Sequence, residues 1–195
     1  MSAPQKCWPK RIFCIEGNWD DNLATTNSVR PVLDLLEINA GVKYIYRDCS
    51  TLEEIEFLVD KWRQKGYGEY RILYLAFHGR AGEIRISGRA CLTLEALGER
   101  LDGRCRNRLV YFGACSVLSV PVKRLRRFLD ASGAKAVCGY KTEVDWMKST
   151  ALDLVAMSEL QRHAMTRAGL AAAEAAIRRS TRALSGELGF RMLYH

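Results

Sequence analysis

Short apolar runs alternate along the chain with segments in which hydrophobic residues recur every three or four positions. Arg11 to Ile15 (RIFCI) reads as a strand. Val29, Val32, Leu33 and Leu36 then share one face of a helix running to Asn39, with Gly41 placed as its C-cap. Val42 to Tyr46 predicts a second strand, and Ser50 and Glu53 have the spacing of a capping box before a helix with the stripe Ile55, Leu58, Val59 and Trp62. Arg71 to Phe77 (RILYLAF) is almost continuously apolar and too short for a helix, as in a central parallel strand covered on both faces. It runs directly into His78-Gly79.

Glu83 to Ile86 and Arg89 to Thr93 flank Ser87-Gly88 and predict a small β-hairpin, and Thr93 is placed to cap a short helix carrying Leu94, Leu97 and Leu101. Leu109 to Phe112 (LVYF) makes a fourth core strand, ending in Gly113-Ala114-Cys115. Pro121 then opens a helix with Val122, Leu125 and Leu129 on one face, and Lys135 to Gly139 is a fifth strand. Two helices are predicted to follow, from about Met147 to Arg162 and, rich in alanine, from about Thr166 to Leu184. Strands separated by helices of this length imply βαβ crossovers, hence an α/β fold with a mostly parallel sheet and helices on both faces. At 195 residues the chain suits a single domain, with the alanine-rich helix packed on it.

No stretch has the eighteen consecutive apolar residues of a membrane span, and the start MSAPQKCWPK lacks a signal-peptide core, so a cytoplasmic protein without membrane partners is expected. The seven cysteines (Cys7, Cys14, Cys49, Cys91, Cys105, Cys115 and Cys138) form no CxxC pair and read as reduced, mostly buried thiols. The net charge of +8 comes largely from arginine and raises a nucleic-acid-binding domain as a rival reading. Arginines on helices ordinarily form a solvated face, and the aromatics here do not alternate with the basic runs as a single-strand platform requires. A nucleotide-binding domain is also disfavoured, because EGNWDDN rather than a glycine-rich loop follows the first strand.

Ligands of open α/β sheets sit beyond the carboxyl ends of the strands. His78 and Cys115 each follow a predicted core strand closely, so both fall on that edge. A thiol near its ordinary pKa is mostly protonated at neutral pH and needs a base, which a histidine supplies. With His78 as base and acid and Cys115 as nucleophile, the backbone N–H groups of Gly79 and Cys115 are natural oxyanion donors, because glycine admits close approach. His163, at a helix end, and His195, the last residue, compete poorly for the role of base.

LYLAFHG followed by LVYFGACS resembles the His-Gly and Ala-Cys motifs of the caspase-like cysteine peptidases, and SGAKAVCGYKTEVDW with its following helix is similar to the CHAT pattern in particular. The resemblance covers roughly residues 12–160. It implies a caspase-like three-layer sandwich and a His78–Cys115 dyad, with Gly79 in the oxyanion hole and no metal or other cofactor. It further implies a protein or peptide substrate, a separate activating or sensor partner, and conditional proteolysis in bacterial defence or stress signalling. A catalytically silent interaction module is the alternative within the family. Gly113-Ala114-Cys115-Ser116-Val117 departs from the caspase nucleophile motif, so cleavage after aspartate is not supported. The family's substrate pocket draws on the loops after the first and fifth strands, which here carry Glu16, Asp20, Asp21, Glu143 and Asp145. Acids there predict cleavage after arginine or lysine.

Overall fold

In the parallel core strands successive side chains point to opposite faces, and both faces are apolar, so each needs its own cover of helices. The computed structural model describes residues 10–195 other than Asp21, Leu23 and Arg89. The expectations placed on the N-terminal leader, Cys7, Asp21 and Arg89 therefore lie outside the described residues. In chain order the elements are β1 (Ile12–Gly17), α1 (Arg30–Ala40), β2 (Tyr44–Cys49), α2 (Leu52–Trp62), β3 (Ile72–Ala76), β4 (His78–Arg80), β5 (Glu83–Ser87) and β6 (Ala90–Thr93). They continue with α3 (Leu94–Leu101), β7 (Leu109–Gly113), α4 (Val122–Ser132), β8 (Ala136–Tyr140), α5 (Trp146–Arg162), α6 (Arg167–Ser180), α7 (Arg182–Glu187) and β9 (Phe190–Tyr194).

The central sheet has the order β2-β1-β3-β7-β8-β9, parallel throughout except for β9, which runs antiparallel to β8. Phe13, Ile15, Leu73, Leu75, Val110 and Phe112 cluster with Ile55, Val59 and Trp62 of α2, Leu97 and Leu101 of α3, and Leu125 and Leu129 of α4. The alternate residues Ile12, Cys14, Ile72, Tyr74, Leu109 and Tyr111 cluster with Leu33 and Leu36 of α1, Leu152 and Met157 of α5, and Leu170 and Ile177 of α6. Strand alternation thus sorts the core into two layers of helix on one mostly parallel sheet. Each fully buried Leu, Ile or Phe contributes roughly 1.5–3 kcal/mol, so neither face can be left open.

Several local expectations are corrected. The capping box of α2 is Thr51 and Glu54, not Ser50 and Glu53: Thr51 Oγ1 accepts from Glu54 N, and Glu54 Oε2 accepts from Thr51 N. The strand expected at Val42 to Tyr46 lies at Tyr44–Cys49. The hairpin gains a third strand, β4, which contains His78 itself. The alanine-rich helix breaks at Thr181, whose hydroxyl donates back to Ile177 O at 2.7 Å while its backbone leaves helical geometry. After α7, Gly189 turns at φ +58 into β9, a strand whose alternation of buried Phe190 and Met192 with half-buried neighbours is a period-two signal.

Candidate active site

The chain passes from β1 out to the edge strand β2 and returns to β3 on the other side of β1, so the strand order reverses there and leaves a crevice beyond the carboxyl ends. β3 and β7 are adjacent and parallel, with Ala76 opposite Gly113. His78 and Cys115 are each two residues past that pair, on strands whose spacing is about 4.8 Å. Both line one cavity of about 120 Å³, together with Trp19, Tyr74, Phe77, Trp146 and Asp153 among others. His78 is exposed and Cys115 half-buried at its opening, whereas Asp153 is buried.

His78 Nε2 lies 2.9 Å from the carbonyl oxygen of Trp19. A carbonyl only accepts, so Nε2 carries the hydrogen and Nδ1 keeps the free lone pair. The Trp19 ring also meets the imidazole edge-to-face at 5.3 Å, and Trp146 edge-to-face at 4.7 Å. Trp19 is held in turn by Glu16, whose Oε1 accepts from the indole N–H at 2.5 Å.

The loop that carries Cys115 is pinned by its backbone. Ser116 takes the left-handed conformation at φ 57, uncommon for a residue with a side chain, and its N–H donates to Thr142 O at 2.9 Å. The Leu118 N–H donates to Tyr140 O. The Val144 N–H points at Cys115 Sγ at 3.5 Å. Among the described residues no acceptor is bonded to the Cys115 N–H. Gly79 passes close to this loop: a Cβ there would stand 2.6 Å from both Cys115 O and Val117 Cγ2, contacts that real Cβ atoms do not make. Four of the other thiols, Cys14, Cys49, Cys105 and Cys138, are buried. Burial pushes Cys105 up to about 12 and Cys49 to about 11, and drives Cys14 and Cys138 well above the ordinary thiol range, so those four stay protonated at neutral pH.

Of the acids expected to form the substrate pocket, Glu16, Asp20, Glu143 and Asp145 do not line this cavity. Glu16 is 2% exposed, and its two oxygens are occupied by Trp19 Nε1, Ser28 Oγ, the Val29 N–H and the Tyr46 hydroxyl, so it holds the loop instead of facing solvent. Asp20 accepts from Asn22 N in a local turn, Asp145 caps α5 by accepting from Lys148 N at 2.9 Å, and Glu143 is exposed on the surface. The carboxylate that does line the cavity is Asp153 of α5. It accepts from the hydroxyls of Tyr74 and Tyr111 at 2.6 Å each and from that of Tyr140. Burial outweighs these bonds and raises its carboxyl to about 6. Gly113 makes room for the arrangement, since a Cβ there would be 2.5 Å from Tyr74 Cε2.

Sequence reasoning missed both Trp19 and Asp153. Trp19 acts through a backbone carbonyl, which no residue type announces. Asp153 had a signal: it falls on the stripe of Ala156, Met157 and Leu160, where a lone acid is out of place.

Residues 9–194 match the model of the "Family of unknown function (DUF6642)", and the chain belongs to that family. No curated protein matches the sequence. Among solved structures the chain is similar to "Crystal Structure of Caspase-1 from Spodoptera frugiperda", with a TM-score of 0.56, 12% identity, and coverage of 90% of this chain and 78% of that one. At that identity the likeness shows the caspase-like fold.

Proposed function

We propose that the chain is a cysteine endopeptidase of the CHAT type, using His78 and Cys115 to hydrolyse peptide bonds after a basic residue. The observation that carries this reading is the placement of His78 and Cys115 two residues past the paired Ala76 and Gly113, on the rim of one cavity. His78 Nδ1 takes the thiol proton, and Cys115 Sγ attacks the substrate carbonyl. The oxyanion that forms is met by the N–H groups of Cys115 and Gly79. His78 returns the proton to the departing amine, leaving a thioester. Water then attacks the thioester, giving its proton to His78 and releasing the acid and the thiol. Trp19 O holds the imidazole in the tautomer this sequence needs.

Conditional activity accords with the edge-to-face contact of Trp19 and Trp146, which joins the loop after β1 to the start of α5 beside the cavity and narrows the way in for a protein substrate. Relief of that contact for a folded protein substrate is the step assigned to a separate activating protein; a short peptidyl probe reaches Cys115, which is partly exposed, without it.

The test is covalent labelling by peptidyl acyloxymethyl ketones ending in Arg, Lys, Asp or Asn, read by intact mass. In this reaction the Cys115 thiolate displaces the carboxylate of the probe to form a thioether. Labelling by the basic probes that is lost in both Cys115→Ala and His78→Ala is the expected result. A folded wild type that no probe labels is a silent caspase-like domain.

A further inference from the structure

The cavity runs from His78 and Cys115, at the surface, to a carboxylate that pairs with no cation among the described residues. Its walls are largely aromatic, with Trp19, Trp146, Tyr74 and Phe77 around the passage and Asp153 at the buried end. The carboxyl sits near 6, so Asp153 is largely ionised at neutral pH, and only tyrosine hydroxyls stabilise it from within the described residues. A buried ionised group of this kind calls for an opposite charge.

Size and acceptor count narrow what supplies it. The volume of about 120 Å³ gives room for an unbranched side chain. Oδ1 already accepts from Tyr111 and Tyr140, whereas Oδ2 accepts from Tyr74 alone. With two lone pairs on each oxygen, a single direction is left, on Oδ2. An ammonium can use the single free direction on Oδ2, its other N–H groups turning to the hydroxyl oxygens of Ser149 and Thr150 in the lining, while a guanidinium fork needs two carboxylate directions in parallel. Methylenes lie well against indole and phenyl faces.

We propose that this cavity receives the side chain of a lysine immediately before the scissile bond, with Asp153 as the specificity-determining acceptor of its ammonium. The proposal rests on the peptidase reading above and replaces the loop acids as the source of a basic preference.

The test uses three acyloxymethyl ketones that differ only in a terminal Lys, Arg or norleucine, the last being lysine's shape without the charge. Their rates of Cys115 labelling are compared in wild type, Asp153→Asn and Tyr74→Phe. The wild type is expected to favour Lys over Arg by about tenfold. In Asp153→Asn the Lys-to-norleucine ratio, in which any loss of folded protein cancels, is expected to fall at least ~30-fold. A ratio that survives the substitution, or a wild type that prefers Arg or norleucine, overturns the proposal while leaving the peptidase reading intact. Failure of all three probes to label Cys115 overturns both. Should Asp153→Asn not fold by circular dichroism, Tyr74→Phe decides: freeing Oδ2 is expected to lower the Lys-to-Arg ratio about fivefold, and an unchanged ratio sinks the idea.

Discussion

Glu16 and Asp153 are both carboxylates removed from water, 2% and 3% exposed, and both receive several hydrogen bonds, yet they do opposite things. The donors of Glu16 include a backbone amide, an indole, a serine and a tyrosine, drawn from the loop after β1, the start of α1 and the neighbouring strand β2. Its charge is spent on fixing backbone: the Val29 bond supplies the cap that α1 lacks locally, and the Trp19 bond sets the carbonyl on which His78 rests. The donors of Asp153 are three tyrosines of the central strands β3, β7 and β8, one acceptor direction is left over on Oδ2, and Asp153 lines a cavity. Burial alone therefore does not tell a structural acid from a binding one. What decides is whether any acceptor direction is left over.

The contrast predicts unequal costs. Glu16→Ala removes the shared acceptor of four donors, of which the Val29 N–H is buried, Trp19 and Ser28 are half-buried and the Tyr46 hydroxyl keeps Asp48; at 1–3 kcal/mol for each orphan, less what water recovers, the loss is about 3 kcal/mol. Urea unfolding at pH 7 measures it; a loss below about 1 kcal/mol would mean that the loop is held by other contacts.

Asp153 gives a pH signature instead. Its folded-state value of about 6 lies above the unfolded 3.8, so the native state binds the proton more tightly. Its contribution to stability is therefore fully present at acid pH, below the unfolded value, and is lost as pH rises toward 6 and beyond. Between pH 4.5 and 7 the advantage of wild type over Asp153→Asn should shrink by about 2 kcal/mol. Paired urea titrations at the two pH values check this, and a gap that widens with pH would reverse the assignment.

Trp19→Phe tests the link between the Glu16 cluster and the proposed pair of His78 and Cys115. It removes one bond to a charged acceptor, worth about 1.5 kcal/mol, but leaves a ring against His78 and Trp146. The larger consequence is expected in labelling of Cys115, slowed about tenfold as the carbonyl under His78 loses its anchor. Stability and labelling falling in proportion would instead mark Trp19 as packing.

The same contrast accounts for what the sequence let a reader see. RILYLAF and LVYF announce central strands because both faces are apolar, and a histidine and a cysteine just beyond them fall at one sheet edge by topology alone. The β9 strand stayed hidden because a helical alanine pattern runs almost up to it and only Gly189 marks the turn. Tyr74, Tyr111 and Tyr140 belong to three strands far apart in sequence, and only the register of β3, β7 and β8 brings their hydroxyls to one residue of α5. Of the acids that drew attention, Asp20, Glu143 and Asp145 are on the surface, where short acids cap helices and close turns, and Glu16 is buried with its oxygens already filled.

Asp145 is the sharpest case of that kind, and the smallest effect. It was placed by the sequence in a substrate pocket, and its side chain instead accepts from Lys148 N as the N-cap of α5, the helix that carries Asp153. Its neighbour Lys148 is paired with Glu187, so charge at this helix start is already balanced on the surface. Asp145→Ala should cost about 1 kcal/mol, the usual worth of a cap. The Lys-to-norleucine labelling ratio should not change, because a cap far from the ammonium acts on both probes alike. Asp145→Ser, which restores a capping oxygen without the charge, should recover most of the stability. If it did so while the ratio nevertheless fell, charge at Asp145 would be reaching the substrate through solvent, and the division between loop acids that shape the backbone and a buried acid that reads the side chain would have to be redrawn.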